Sequence, residues 1–222
     1  MISFLSDLKL YLPQLFLKAL TVALPLTVIS FIIGLILATV SAIIFTLPKA
    51  NKILNFLKSF LNFYVWFFRS TPLLVQLYIA FFGLKGIFAN AWIAGIIVLS
   101  LNIGAYVSQN IKGAILSVSK NQFESAIATG LTVSQSYKYV ILPLALPAAI
   151  PALGNSFISL FKDTSLISAI TIIDPFLYAQ QISGQNFHTL NLYLLTAIMY
   201  AFFSTIFAYL QSVTEKHFSI IH

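Results

Sequence analysis

Long apolar runs separated by short polar gaps dominate this chain, and five of them are long enough to cross a membrane. A helix spanning the ~30 Å hydrocarbon core needs about 20 mostly apolar residues at 1.5 Å each. The first run extends from about Ala19 to Leu47, with a bend expected at Pro25. Its charge-free stretch, Ala19 to Pro48, is far longer than the 7–15 or so apolar residues of a cleavable signal peptide, so it reads as a retained span. The second lies between Lys58 and Lys85 and carries Arg69 and Pro72 inside it. The third, Gly86 to Ile111, is free of charge. The fourth runs from about Tyr139 to Ile173, interrupted by Lys162-Asp163; Pro143, Pro147 and Pro151 each remove a backbone donor, so breaks are expected there. The fifth runs from about Leu190 to Gln211. Together they predict an all-α integral membrane protein with five transmembrane helices, residues 19–212, between an N-terminal segment 1–18 and a tail 213–222.

The gap between the third and fourth runs differs in kind. Lys112 to Tyr139 mixes polar residues with Ile115, Leu116, Val118, Phe123, Ile127, Leu131 and Val133. Several recur at three- or four-residue spacing, which predicts short amphipathic helices at the membrane surface. No internal repeat is evident, so nothing resembles the corresponding broken helices of a transporter built from two inverted halves.

Composition agrees. Of 222 residues 59% are hydrophobic and 8% charged, against about 25% charged in soluble domains, so water cannot solvate the outside. The net charge of +7 does not point to nucleic acid, because the basic residues sit in short gaps and form no cluster interleaved with exposed aromatics. With no cysteine, thiolate metal sites, thiol nucleophiles and disulfides are excluded. One set of gaps holds Lys49, Lys52, Lys58, Lys112, Lys120, Lys138 and Lys216, the other Lys9, Lys18 and Lys85. The richer side is expected to be cytoplasmic, which places the N-terminus outside and the C-terminus inside. His188, in an expected external loop, and His217 and His222, in the tail, have no metal-binding spacing and read as solvated.

Two stretches carry charge inside apolar context. Arg69 lies eleven residues after Lys58, about 16 Å along a helix, deep enough that it must be paired, face an aqueous cavity or snorkel. It is placed to meet a substrate carboxylate, to pair with Asp163, or to serve structure alone. In Lys162-Asp163 adjacent helical residues point in different directions, leaving Asp163 to face a path or to hold a structural hydrogen-bond cluster. In the gap segment, Gln122 to Gly130 places small residues Ala126, Ala128 and Gly130 where a partner approaches closely, with Gly130 a helix stop and Glu124 suited to the positive end of a helix dipole. An ordinary connecting loop has the same composition.

Four motifs in order resemble those of ABC-importer permeases. Glu124-Ser125-Ala126, then Gly130, then Val140, Leu142 and Pro143 resembles the family's EAA loop. Phe68-Arg69-Ser70-Thr71-Pro72-Leu73-Leu74-Val75-Gln76-Leu77 resembles the FRGTPLLVQ signature of the polar amino acid subfamily (histidine, glutamine and arginine type). Gly104-Ala105-Tyr106 and Lys162-Asp163-Thr164-Ser165-Leu166 are similar to two further motifs, and the resemblance covers about Leu20 to Gln211. The chain departs from the pattern at Ser70 for Gly, Gln109 for Glu, Lys112 for Arg, Asn121 for Gly and Ser125 for the middle Ala. Gln109 removes a charge that relatives carry beside the loop.

The resemblance implies a type I importer permease fold and import of polar amino acids across the bacterial cytoplasmic membrane by alternating access. Two permease chains, identical or paralogous, would face each other above two ABC ATPases, with an extracytoplasmic amino-acid-binding protein delivering substrate. Gln122, Glu124, Ser125, Ala126, Gly130, Leu142 and Pro143 are then the expected ATPase-coupling residues, within a cytoplasmic loop of about 113–139. Arg69, Thr71, Gln76, Asp163, Thr164 and Ser165 are the pathway candidates. No Gly-x-x-x-x-Gly-Lys-Ser/Thr loop is present, so this chain is expected to bind no cofactor or metal and to catalyse nothing; ATP and Mg belong to the partner ATPase. An ion-coupled secondary transporter or channel subunit is the alternative, and it would need intramembrane acids, of which Asp163 is the one convincing case. An intramembrane enzyme lacks its motifs, and a structural membrane protein leaves the four in register unexplained.

Overall fold

The computed structural model describes residues 2–47, 51–88 and 90–219; Met1, Pro48, Lys49 and His222 lie outside the described residues. The α-helices are α1 (Ile2–Lys18), α2 (Leu24–Thr46), α3 (Lys52–Ser70), α4 (Leu73–Tyr78), α5 (Ala91–Ser117), α6 (Lys120–Ala128), α7 (Val133–Ser136), α8 (Leu142–Asp163), α9 (Pro175–Asn186) and α10 (Thr189–Ser219). Four helical stretches are long and apolar enough to span, Phe4–Thr46, Ala91–Ser117, Val133–Ile170 and Thr189–Phe218. The pair Lys52–Ser70 and Leu73–Gly83 makes a fifth, bent by 107°.

In the first and fourth spans prolines reshape the helix without breaking it. Proline lacks an N–H and its ring crowds the carbonyl four residues back. Ahead of Pro25 the helix widens into a π turn at Ala19–Ala23, and ahead of Pro143 into another at Tyr137–Ile141. Each proline stands two residues past its wide turn, where the opposing carbonyl is displaced. Pro147 and Pro151 lie inside a continuous α8, contrary to the breaks expected there. At four-residue spacing the three rings share one strip, and Gln211 of α10 donates to Pro151 O at 3.1 Å. Neighbouring helices commonly support proline in this way within membranes.

The first helix also starts earlier than its charge-free run, continuing back through α1 to Ile2. α1 packs against α9 and α10, α2 against α5. The α2–α5 contact is closed by glycine: a Cβ on Gly104 would lie 2.8 Å from Tyr64 Oη and 3.2 Å from Gly34 O. Small residues let backbones approach where lipid offers no hydrophobic drive. Phe207 of α10 meets Phe157 and Phe161 of α8 edge-on, and Phe203 packs tilted against Phe161, joining α8 to α10.

His188 is not merely solvated. Its Nδ1 lies 2.9 Å from Asp7 Oδ2, and Asn191 Nδ2 donates to the same oxygen at 2.8 Å. Burial of Asp7 between α1 and the start of α10 demands such partners.

Candidate functional site

The bend after α3 is built by its own sequence. The residue before a proline is pushed out of the helical region, and Thr71 is extended (φ −114°, ψ 145°) ahead of Pro72. Helix α3 ends there with orphan carbonyls, and side chains satisfy them. Thr71 Oγ1 donates to Phe67 O at 2.8 Å. Buried Gln76 then donates through Nε2 to Phe68 O, Thr71 O and Thr71 Oγ1 at 3.1, 3.1 and 2.8 Å. Asn102 of α5 donates to Gln76 Oε1 at 2.9 Å and to Phe68 O at 3.3 Å. Gln76 thus holds the broken span in shape and pins it to α5.

The broken end faces a cavity of about 640 Å³. Thr71, Pro72 and Leu73 form one wall; Asn102, Ile103, Tyr106 and Asn110 of α5 a second; Asn155, Ser156, Ser159 and Asp163 of α8 a third. Asn110 Nδ2 donates to Ser156 Oγ at 3.3 Å across it. Among the described lining residues Asp163 carries the charge. Neither Arg69 nor Lys162 forms an ion pair with it among the described residues. Arg69 is exposed at the end of α3, its Cζ 5.4 Å from the Tyr106 ring centroid. Lys162 is exposed and lies off the lining.

Of the six pathway candidates, the structure brings Thr71 and Asp163 to the cavity wall. Gln76 stands one layer behind, and Arg69 stands beside Tyr106. Thr164 is buried and turned away, donating to Phe161 O at 2.6 Å. Ser165 donates to Lys162 O at 2.8 Å and also stays off the wall. On the far side of Thr164, Tyr200 donates to Asp174 Oδ2 at 3.3 Å. Burial pushes the Asp174 carboxyl up to about 6 against the opposing pull of the Leu177 and Phe176 N–H groups that it caps.

Asn102, Asn110, Asn155, Ser156 and Ser159 were not singled out from the sequence. Their signal was there: polar residues at Asn102, Tyr106 and Asn110, and at Asn155, Ser159 and Asp163, recur every four positions along otherwise apolar helices.

The expected coupling segment folds as two short helices. Gly130 takes φ +89°, and Leu131 N–H donates to Ala126 O at 3.2 Å while Gly130 N–H donates to Ile127 O at 2.9 Å. This is a Schellman stop, which needs the left-handed conformation that glycine adopts freely. Thr132 and Gln135 then form a reciprocal capping box that starts α7. Gln122, Glu124, Ser125 and Gly130 are exposed, whereas Ala126 is buried against its own chain. Leu142 and Pro143 stand apart from this surface, at the start of α8 beside an apolar cavity. Gln109 lies half-buried within α5, its Nε2 3.3 Å from Ser108 Oγ.

Residues 42–220 match the family model described as "Binding-protein-dependent transport system inner membrane component". The chain is 39% identical over 196 residues to the L-cystine transport system permease protein TcyB of Bacillus subtilis (strain 168), covering 87% of this chain and 82% of that protein. It is 35% identical over 210 residues to the arginine ABC transporter permease protein ArtM of Haemophilus influenzae, covering 90% of each. A crystal structure of an amino acid ABC transporter with histidines contains a chain 32% identical, with TM-score 0.84 over 96% of this chain and 98% of that one. An inward-facing MetNI methionine ABC transporter chain, 18% identical, superposes with TM-score 0.73 over 94% and 97%, respectively.

Proposed function

Because the chain belongs to the family of binding-protein-dependent transport system inner membrane components and is the permease subunit of an ABC importer for polar amino acids, we propose that the cavity between the broken span, α5 and α8 is its part of the amino-acid pathway. It is a multi-pass inner-membrane protein with an importer permease fold and is itself no enzyme. The observation that carries the reading is a polar cavity with the Asp163 carboxylate on its wall, enclosed by segments that otherwise pack apolar surface.

Asp163 meets the α-amino group or a cationic side chain; Asn102, Asn155 and Ser159 supply neutral hydrogen bonds. A carboxylate passes Arg69 at the rim. The second wall of the pathway comes from another permease chain, identical or paralogous. The ends of α3, α5 and α10 that carry Lys52, Lys58, Lys112 and Lys216 face the cytoplasm, which sets the N-terminus outside. Of the two ABC ATPases, one docks on the exposed face of this chain's α6 and the other on the second permease chain, and they bind ATP and Mg; this chain holds no cofactor. An extracytoplasmic binding protein delivers the amino acid from the other side.

Absence of native cysteine permits a direct test. Single replacements Ser159→Cys and Asn155→Cys in the assembled importer are expected to react with a cationic, water-soluble thiol reagent and to be slowed severalfold by saturating transported amino acid. Ile36→Cys, on the exposed apolar face of α2, is expected to stay unreactive in the bilayer. Reaction at Ser159→Cys no faster than at Ile36→Cys, or full reaction in the presence of every transported amino acid, would remove this cavity from the pathway.

A further inference from the structure

A second cavity, of about 450 Å³, lies between α2, α5 and α8, separate from the polar one. Leu35 of α2, Ile111 and Ala114 of α5, and Leu146 and Leu153 of α8 form its walls. The Thr39 hydroxyl on the lining is already donated to Leu35 O at 2.8 Å. Among the described lining residues, what remains polar is Lys138, in the wide turn just before α8. One helical turn beyond Leu35 and Leu153, Phe31 and Phe157 meet edge-on at 5.2 Å and join α2 to α8. The cavity therefore has an apolar end and a cationic end.

Its dimensions match half a bilayer. From Leu142 to Leu153 the wall of α8 rises about 16 Å at 1.5 Å per residue, against roughly 15 Å for one leaflet's hydrocarbon. Lys138 then stands at headgroup level.

We propose that this cleft is a binding site for an anionic phospholipid, with one acyl chain between α2 and α8 and the phosphate on Lys138. An acyl chain gains little by leaving bulk lipid for an apolar protein wall, so chain burial alone selects no lipid. Selection comes from the headgroup, and one lysine at the surface favours an anionic over a zwitterionic lipid by about fivefold. The cytoplasmic leaflet follows from the orientation proposed above, but retention of lipid does not depend on it. A failed lipid test therefore leaves the transport reading untouched, and a failed topology test leaves the lipid site standing.

The test uses the assembled importer in discs of phosphatidylcholine and phosphatidylglycerol, stripped progressively with detergent, with retained lipids counted by mass spectrometry. Wild type is expected to retain phosphatidylglycerol about fivefold over its share of the bulk. Lys138→Gln, a change at an exposed position, is expected to lower that enrichment to near the bulk ratio. Ala149→Phe, which fills the cleft, is expected to reduce retention of both lipids. Retention at the bulk ratio in wild type would mean annular lipid only, and no retained lipid would mean that another chain fills the cleft. Either result, or undiminished enrichment in Lys138→Gln, overturns the proposal.

Discussion

Gly130→Val is expected to reduce ATP-driven amino-acid uptake at least tenfold while leaving the chain in the membrane. At φ +89° a side chain is strained whatever space surrounds it: the left-handed region costs about 1–2 kcal/mol for ordinary L-residues, and a β-branched residue is a genuine outlier there. Relaxing that strain unwinds the Schellman stop and releases its hold on the Ala126 and Ile127 carbonyls. The exposed face of α6 then changes its angle to α7 and α8, and about 1.4 kcal/mol of lost docking or transmission suffices for tenfold. The strain is confined to an exposed turn, so the packing of α2 on α5 survives and membrane abundance is preserved. Uptake and ATPase co-purification, measured beside Gly113→Ala as a control with open space around its new Cβ, separate the two effects. Wild-type uptake by Gly130→Val would remove this turn from coupling.

Asp163→Asn is expected to raise the half-saturating substrate concentration about 10- to 100-fold, or to abolish transport, at normal abundance. The substitution preserves size and hydrogen bonding but removes the charge from the cavity lining. A hydrogen bond to a charged group contributes about 1.5–3 kcal/mol, and every 1.4 kcal/mol is tenfold. With no ion pair to Arg69 or Lys162 among the described residues, the native fold gives up no buried salt bridge. Lys162→Gln, off the cavity wall, is the control and should transport normally. Unchanged apparent affinity in Asp163→Asn would take the carboxylate out of substrate contact, and a loss of folded protein instead would assign it a structural role.

How much of this was legible depends on the range of the interaction. Apolar run length is a local property, so the existence of the spans was readable from the sequence, as was the glycine stop at Gly130. Helix ends were less so: α5 continues to Ser117 and α10 to Ser219, because tertiary packing extends helices into polar sequence that run length discards. Prolines mislead in the same way, since the expected breaks in α8 assume a helix without neighbours. The bend at Thr71-Pro72 was carried by the residues themselves, but its stabilisation was not. That depends on Gln76 reaching back to Phe68 and on Asn102 reaching across from α5. Asp7 and His188 are 181 positions apart, and nothing local marks them as partners. Thr164 and Ser165 share the motif of Asp163 but not its direction, because the chain tightens into a 3-10 turn at Thr164–Ile170 that rotates them off the wall.

Uptake into proteoliposomes distinguishes a permease driven by a separate ATPase from a transporter that works alone. The chain is reconstituted with its ATPase and binding protein, and radiolabelled polar amino acids are offered on the binding-protein side. Uptake is expected to require ATP on the ATPase side, to disappear when the ATPase is omitted, and to persist when ionophores collapse proton and sodium gradients. Uptake by the chain without the ATPase, driven by an ion gradient and insensitive to ATP, would show a secondary transporter instead.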